Sequence, residues 1–293
     1  MTRSVLITGA AGQLGRELQR AAWPDGTELF ALTSSDLDIT DRGAVLAEVQ
    51  RLGPSVIVNA AAYTAVDRAE DDEERALAVN AIAVESLADA ADRVGALLVQ
   101  VSTDYVFDGS GSRWYLEDDP VAPIGAYGRT KALGEAAALR AQHSIVVRTA
   151  WVYSAHGSNF VKTMLRLAGD RDELGVVADQ FGCPTAAADI AAAIVELVDR
   201  FEDVGSLPHR LFHVAAPDDA SWHQFACAIF ERSGRRDRLT IKALTTAEYP
   251  TRASRPANSR LDTDRLAATL DHRLPSWRDS LTLVVDELQG GSP

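Results

Sequence analysis

The sequence predicts an α/β protein with a doubly wound, Rossmann-type parallel sheet and a smaller C-terminal α/β domain. Apolar runs of strand length alternate with helix-period segments over the first half of the chain, and this alternation changes after residue 149. Short, continuous β-branched runs are typical of parallel strands that are covered on both faces. A glycine-rich turn directly after the first run is the third observation, because such turns join the first strand to a helix in this kind of sheet.

The predicted elements follow one another in the order that a parallel sheet requires. Strands are expected at residues 4–8, 28–32, 55–60, 96–101 and 144–151, with helices between them at 14–22, 44–52, 76–94 and 126–142. Strands joined through helices form right-handed βαβ units and hence a parallel sheet. Later helices are expected at 159–169, 187–201, 221–233 and 275–288, and shorter strands at 174–178, 210–215 and 239–243. The first domain is therefore assigned to residues 1–148, joined by segments near 185–215, and the second mostly to residues 149–293.

Charge and cysteine content exclude several classes of protein. The formal net charge of −13 argues against nucleic acid or an anionic membrane as the partner, since both attract a basic surface. Cys183 and Cys227 are far apart and lack a CxxC neighbour, so neither a disulfide framework nor a zinc site is expected. No signal peptide is recognisable, and no segment approaches the roughly 20 apolar residues that span a bilayer. We expect a cytoplasmic protein that acts on a small molecule.

The glycine-rich turn has the spacing GxxGxxG and lies between the first predicted strand and the first predicted helix. One glycine permits the tight turn, another lets the backbone approach a pyrophosphate, and the third packs the helix on the strand. The phosphates would accept hydrogen bonds from N–H groups at the helix N-terminus. An ordinary glycine-containing turn is the alternative, but the context favours a dinucleotide-binding domain. The predicted cofactor residues of this turn are Gly9, Gly12, Gln13, Leu14 and Gly15.

The end of the second predicted strand bears on the choice of nicotinamide cofactor. An NAD enzyme usually has an acidic residue there, whereas an NADP enzyme often has an arginine nearby. This chain instead has Thr33, Ser34 and Ser35, whose small hydroxyl side chains leave room for a 2′-phosphate. Asp36 is expected to lie too far along the chain to meet the ribose. The sequence therefore favours NADPH, with NADH as the alternative.

A tyrosine and a lysine four residues apart open the helix predicted at 126–142. Positions i and i+4 share one helical face, so the Tyr127 hydroxyl and the Lys131 ammonium are expected to enter the same cleft. A cation one turn away is expected to lower the pKa of the tyrosine from its usual value of about 10. The preceding strand leads to Thr103, whose hydroxyl could meet a substrate carbonyl oxygen, since ligands gather at the carboxyl ends of parallel strands. Tyr127, Lys131 and Thr103 are the predicted catalytic residues.

Together these motifs resemble the extended short-chain dehydrogenases/reductases, and further matches narrow the resemblance to the dTDP-4-dehydrorhamnose reductase family. The matching segments cover nearly the whole chain and lie at residues 59–67, 102–109, 148–153, 159–164, 179–185 and 255–259. The resemblance implies hydride transfer from NADPH to the C4 keto group of dTDP-4-dehydro-L-rhamnose, which gives dTDP-L-rhamnose. It also implies that Tyr127 protonates the emerging alkoxide, that Lys131 tunes Tyr127, and that Thr103 orients the carbonyl.

Further residues are assigned to the two ligands. The predicted cofactor set also contains Asp38, Ile39, Ala60, Ala61 and Ala62, together with Tyr127 and Lys131. By the resemblance, the sugar-nucleotide pocket is expected to contain Thr64, Val66, Thr103, Asp104, Tyr105, Trp151, Arg255 and Asn258. Trp151 would stack on the sugar or pack against the base, with an ordinary core position as the alternative.

One departure from the family concerns a metal ion. Some members form a dimer bridged by a metal that glutamates hold, and Glu17 and Glu287 match two of those positions. The third position is Ala188, which cannot coordinate, whereas a hard cation such as Mg²⁺ needs oxygen ligands. No metal is therefore predicted, and the oligomeric state is left open, with a homodimer as one alternative.

Three other functions are weighed against simple reduction. A dehydratase of the resembling family carries a carboxylic acid directly after the Thr-Asp pair, where this chain has Tyr105, so elimination is disfavoured. A 4-ketoreductase of another dTDP-deoxysugar is not excluded by the pocket motifs. A non-catalytic regulatory subunit of the same fold is less expected, because a binding partner has no need for a tuned tyrosine.

Overall fold

A parallel sheet lies at the centre of the N-terminal half. The structure, a computed structural model, describes residues 3–235 and 239–290. Its strands are β1 (Ser4–Thr8), β2 (Glu28–Leu32), β3 (Val56–Asn59), β4 (Leu97–Thr103), β5 (Ser144–Thr149), β6 (Val152–Tyr153), β7 (Glu173–Val177), β8 (Phe181–Gly182), β9 (Thr185–Ala186), β10 (Leu211–His213), β11 (Ala220–Ser221), β12 (Thr240–Leu244) and β13 (Asn258–Ser259). One sheet has the order β10-β5-β4-β3-β1-β2. Every neighbouring pair in it is parallel, which confirms the predicted doubly wound fold.

Helices cover both faces of this sheet. The α-helices are α1 (Gln13–Arg20), α2 (Arg42–Leu52), α3 (Val66–Ala69), α4 (Glu73–Leu77), α5 (Ala83–Val94), α6 (Ala126–Ala138), α7 (Phe160–Asp170), α8 (Ala187–Val204), α9 (Trp222–Arg232), α10 (Asp264–Leu270) and α11 (Trp277–Leu288). On one face α1 and α8 bury Leu18 and Ile194, and on the other α2 and α5 bury Val49 and Leu87. Because both faces are covered, the central strands are apolar along their length. Among the residues described, none of these helices has both the length and the apolar character needed to cross a membrane.

A second hydrophobic core lies apart from the six-stranded sheet. There α7, α9 and α11 pack around the parallel pair β7 and β12, with Tyr153, Phe225 and Trp277 among the largest buried side chains. However, β10 returns to the large sheet beside β5, and α8 packs on that sheet. Segments after residue 149 therefore contribute to both cores, and a domain boundary at residue 148 stays a prediction.

The long helix predicted at 76–94 is interrupted before α5. After α4 ends at Leu77, a π-helical turn covers Ala78–Ile82. The Asn80 carboxamide in this turn accepts a hydrogen bond from the Tyr63 N–H and donates one to the Tyr63 carbonyl, at 2.9 and 3.2 Å. The Asn80 carbonyl oxygen also lies so close to Gly134 of α6 that any Cβ atom there would overlap it. Apolar periodicity does not detect this turn, because its buried residues keep the pattern of a continuous helix.

Two predicted element boundaries are wrong for identifiable reasons. The strand predicted to end at residue 151 ends at Thr149, because Trp151 has a φ of 47°, in the left-handed region. Helix α8 continues three residues beyond its predicted end at residue 201 and ends at Val204, where Gly205 adopts a φ of 76°. Neither change moves the ends of the central strands β1, β3 and β4.

Candidate functional site

A cleft opens along the carboxyl ends of the parallel strands, where ligands bind in this kind of sheet. It has a volume of about 820 Å³. Its walls come from the turns after β1, β2 and β3, from the end of β4 and the start of α6, and from Trp222 of α9. Ala60, Ala61 and Ala62 form the part of the wall after β3. Most residues predicted for the two ligands therefore meet in one cleft.

The glycine-rich turn forms one wall of the cleft. Gly9 has a φ of 69°, and a Cβ atom on it would lie 2.7 Å from the backbone nitrogen of Ala61. Gly12 is the N-cap of α1, and its N–H donates to the Gly9 carbonyl at 2.9 Å. Gly15 lies behind the turn, where a Cβ atom would overlap the Gly9 carbonyl. Backbone contacts thus exclude side chains from the turn, and the N-terminus of α1, where Gln13 and Leu14 also line the cleft, can approach a phosphate.

The wall after β2 contains small hydroxyl side chains. Thr33 and Ser34 line the cleft, whereas Asp36 does not. The Asp36 carboxylate turns back and accepts hydrogen bonds from the N–H and the hydroxyl of Thr33, at 2.9 and 2.6 Å. The turn therefore keeps its carboxylate out of the position where it would repel a 2′-phosphate.

Asp38, Ile39 and Arg75 continue this wall. The Asp38 carboxylate accepts hydrogen bonds from the N–H and the hydroxyl of Thr40, at 2.9 and 2.7 Å. These hydrogen bonds lower the pKa of Asp38, and the charge of Arg75 adds to the effect. The wall thus carries a guanidinium that the sequence analysis did not select.

Thr103, Tyr127 and Lys131 converge in the same cleft. Thr103 ends β4, and its hydroxyl donates a hydrogen bond to the Asp104 carboxylate at 2.8 Å. Tyr127 and Lys131 lie one turn apart at the start of α6. The Lys131 ammonium donates to the Val101 carbonyl oxygen at 2.6 Å, which connects α6 to the end of β4. The structure therefore brings together the three side chains that the sequence singles out.

Burial dominates the protonation of these groups. It raises the pKa of the Tyr127 phenol, a hydrogen bond with Thr103 opposes the rise, and the charge of Asp104 adds to it. Burial also lowers the pKa of Lys131 to about 8 and raises that of Asp104 to about 6. The expectation that the Tyr127 pKa is lowered is therefore wrong, because desolvation of the phenolate is the larger effect. The phenol keeps its proton at neutral pH.

The predicted sugar-nucleotide residues other than Thr103 divide into two groups. Those that line the cleft are Thr64, Val66, Asp104, Tyr105 and Trp151. The Trp151 ring stacks on Trp222 with 3.5 Å between ring centroids and 4° between planes. Its indole N–H donates to the Ser259 hydroxyl at 3.1 Å. Left-handed backbone costs a residue such as Trp151 about 1–3 kcal/mol, so these ring contacts must hold it in place.

Asn258 does not line the cleft. Its carboxamide N–H donates to the Arg113 carbonyl at 2.7 Å, and its oxygen accepts a hydrogen bond from the Arg260 guanidinium at 2.8 Å. The side chain therefore joins the start of β13 to the segment that carries Arg113. Its assignment to the sugar-nucleotide pocket stays a prediction.

Arg255 is next to Tyr105 but is not among the residues that line the cleft. One guanidinium nitrogen donates to the Asp67 carboxylate at 2.7 Å, while Nη1 is buried without a hydrogen-bond partner in the described part of the chain. Burial raises the pKa of the neighbouring Tyr105 to about 12, and Arg255 acts against this rise. Arg255 therefore acts on Tyr105 through its charge.

Glu17 and Glu287 are joined by a guanidinium. Arg20 lies 2.9 Å from the Glu287 carboxylate and 3.8 Å from that of Glu17. Burial raises the pKa of Glu17, and the charge of Arg20 opposes this rise. Within residues 3–235 and 239–290, no group of three His, Cys, Asp or Glu side chains is placed to hold a metal ion.

Several side chains of the cleft were not selected from the sequence, and Trp222 and Arg75 are the two that bear on the ligands. Trp222 begins α9 directly after Ser221, whose capping box with Gln224 is a readable helix start. Arg75 lies in α4 directly after the acidic run at residues 70–74. A run of this kind is typical of a solvated helix start. Neither position could be selected, because only the folded arrangement shows that α4 and α9 face the strand ends.

Comparison with known proteins identifies the family. The model of the RmlD substrate binding domain matches residues 2–290. The dTDP-4-dehydrorhamnose reductase of Sinorhizobium fredii is 44% identical over 285 residues, which cover 95% of each chain. This chain belongs to the dTDP-4-dehydrorhamnose reductase family.

Solved structures of the dTDP-4-dehydrorhamnose reductase family have the same fold. The structure of the Clostridium acetobutylicum protein gives a TM-score of 0.91 at 40% identity and covers 98% of this chain and 99% of its own. The Bacillus anthracis protein, solved in complex with NADP, gives 0.91 at 36% identity and covers 98% of this chain and 100% of its own. Family membership therefore extends over both hydrophobic cores and the cleft between their elements.

Proposed function

We propose that this chain reduces the C4 keto group of dTDP-4-dehydro-L-rhamnose to give dTDP-L-rhamnose, with NADPH as the reductant. The observation that carries the proposal is the convergence of Thr103, Tyr127 and Lys131 beside the glycine-rich turn, in a cleft of a chain whose named relatives are dTDP-4-dehydrorhamnose reductases. Tyr105 stands directly after the Thr-Asp pair and offers no carboxylic acid for elimination. Reduction is therefore favoured over dehydration.

The glycine-rich turn fits a dinucleotide, because it lies so close to the backbone of Ala60 and Ala61 that Gly9 has no room for a Cβ atom, and the N-terminus of α1 beside it lines the cleft. The N–H groups at the start of α1 would hold the pyrophosphate. Asp38, Ile39 and the three alanines after β3 would hold the adenosine half. Thr33, Ser34 and Arg75 supply hydrogen-bond donors suited to a 2′-phosphate, and a relative binds NADP. When bound, NADPH supplies the hydride for the keto carbon.

The chain itself contributes a proton donor, the Tyr127 phenol, at a fixed position in the cleft. Burial keeps Tyr127 protonated at neutral pH, so its phenol can donate to the alkoxide oxygen that reduction creates. Lys131, charged below its pKa of about 8, stabilises the phenolate that remains. The Thr103 hydroxyl, which donates to Asp104 in the free protein, turns its proton to the carbonyl oxygen when substrate binds and so orients it.

The nucleotide sugar is held by the remaining cleft residues. Thr64, Val66 and Tyr105 form part of the wall, and the stacked pair of Trp151 and Trp222 offers a flat aromatic surface to a sugar or base ring. Arg255 acts on Tyr105 through its charge, and Asn258 joins β13 to the segment that carries Arg113. A cytoplasmic location and a homodimer stay predictions.

Turnover with defined substrates tests this function. Purified protein is mixed with NADPH and dTDP-4-dehydro-L-rhamnose, the absorbance of the reduced nicotinamide is followed, and the product is identified by NMR. Tyr127→Phe is expected to lower kcat by about 100-fold or more, because a general acid contributes on the order of 10²–10⁴. The exposed Tyr249, which is 56% accessible, provides the matched control Tyr249→Phe, with kcat unchanged.

Three results would contradict the proposal. No oxidation of NADPH with any dTDP-4-keto sugar, together with a stable complex with another protein, would favour a regulatory subunit. Turnover only with a different 4-keto sugar would favour a ketoreductase of another deoxysugar. Full turnover by Tyr127→Phe would remove the proton donor.

A further inference from the structure

A buried ion pair lies next to the predicted catalytic residues and has no part in the reaction described above. Glu135 of α6 and Arg148 of β5 are joined by hydrogen bonds of 2.9 and 2.7 Å, and their side chains are only 5% and 3% exposed. The Ser102 hydroxyl donates a third hydrogen bond to Glu135 at 2.6 Å. Because removing two charges from water is costly, a buried pair is weak evidence for a role in stability alone.

The pair connects the elements that carry the catalytic groups. Ser102 precedes Thr103 in β4, and Arg148 lies opposite Ser102 in the neighbouring strand β5. Glu135 follows Lys131 by four residues, so both side chains share one face of α6. The hydrogen bond from Lys131 to the Val101 carbonyl is a second link between α6 and β4. These links fix the end of β4 against α6, and with it the place of Lys131 relative to Thr103.

Glu135 is also the negative charge that acts on Lys131. Burial lowers the pKa of this ammonium, and the attraction of Glu135 opposes that decrease. The other charged or titratable groups next to α6 are Tyr127 and Arg129 on α6 itself, Arg148 on β5, and Asp104 and Tyr105 after β4. Helices α3, α4 and α5 also pack on α6 and carry acidic and basic side chains, among them Asp67, Glu73, Arg75 and Glu85. The π-helical turn Ala78–Ile82, which also packs on α6, carries no titratable side chain. Glu135 is therefore placed to decide how far into alkaline pH Lys131 stays charged.

We propose that Glu135 is a positioning residue for Lys131. Its carboxylate, fixed by Arg148 and Ser102, holds the ammonium charged and in reach of Tyr127 and of the cofactor. The carboxylate is not among the groups that line the cleft, so it acts through Lys131. The inference rests on the proposed function for its kinetic readout, and on NADPH binding for a readout that does not require turnover.

The test compares Glu135→Gln with the wild-type protein across pH 6 to 10. Both kcat and the dissociation constant of NADPH are measured at each pH, the latter by fluorescence titration. An opposite charge one helical turn away changes a pKa by on the order of one unit, so the alkaline limb of both profiles is expected to move about one pH unit lower in the variant. Glu85→Gln is the matched control, because it breaks the exposed pair of Glu85 on α5 and Arg140 just after α6, and neither profile should move.

A purely structural role gives a different result. In that case Glu135→Gln lowers the unfolding temperature and the amount of active protein, but both alkaline limbs stay at the wild-type pH, which would overturn the inference. If the single variant does not fold, Glu135→Gln with Arg148→Met removes both buried charges and is expected to show the same direction of shift. A wild-type protein without turnover would contradict the proposed function only, since the NADPH profiles would still test Glu135.

Discussion

Replacing Gly9 by alanine tests the cofactor site most directly. Gly9 has a φ of 69°, where an alanine is less stable by about 1–2 kcal/mol. The added Cβ would also lie 2.7 Å from the nitrogen of Ala61 and 2.8 Å from the carbonyl carbon of Ala60. Because these are backbone atoms, the turn itself must move. The N–H groups at the start of α1 would then lose their alignment with a pyrophosphate.

The size of the effect can be worked out against a matched control. Gly53 has a φ of 55° at the C-cap of α2, and a Cβ atom there meets nothing within 4 Å. Gly53→Ala therefore carries the same backbone cost without the contact. Both variants are expected to lose about 1–2 kcal/mol of unfolding free energy, with a further loss in Gly9→Ala. Losing one or two hydrogen bonds to a charged group, about 1.5–3 kcal/mol each, weakens NADPH binding on the order of 10- to 10,000-fold in Gly9→Ala alone.

The assay combines fluorescence titration with NADPH and urea unfolding of both variants. Gly53→Ala should bind NADPH within about twofold of the wild-type protein, since this change is far below the 1.4 kcal/mol that corresponds to tenfold. Equal NADPH affinities for the two variants would refute the reasoning, because the contact with Ala61 would then have no bearing on the ligand.

Two further predictions concern acid stability and substrate recognition. His213 is fully buried, and burial lowers its pKa to about 3. The neutral ring therefore contributes its full stability above pH 6.5, the pKa of histidine in the unfolded chain. This contribution is lost as the pH falls from 6.5 towards 3. Between pH 7 and 5 the wild-type protein should lose about 2 kcal/mol more unfolding free energy than His213→Gln in urea titrations, and equal losses would contradict this. Trp222→Ala should raise KM for the sugar nucleotide about tenfold, since an aromatic stack contributes about 0.5–1.5 kcal/mol. The affinity for NADPH should stay unchanged, and Trp222→Phe should raise KM less. An unchanged KM would show that Trp222 serves only the packing of Trp151.

The sequence predicts those parts of the site that local geometry determines. The turn at Gly9 follows from its place between a strand and a helix, and the shared cleft of Tyr127 and Lys131 follows from helical spacing. Trp222 could not be selected, because its position depends on how the second core, to which α9 belongs, lies next to the strand ends of the large sheet. The direction of the Tyr127 pKa shift was wrong for a related reason, since the lysine is visible in the sequence while the burial that outweighs it is not.

Burial also explains why this cleft suits reduction. Desolvation favours the neutral form of each group, so it raises the pKa values of Tyr127 and Asp104 and lowers that of Lys131. Between about pH 6 and 8, Asp104 is therefore ionised, Lys131 is charged and the phenol is protonated. A reduction ends by protonating an alkoxide, so the resting phenol is already the required acid. An oxidation would have to begin from the phenolate, and the same burial makes that form of Tyr127 less stable. The walls that enclose the ligands therefore also hold the site in the protonation state that hydride addition needs.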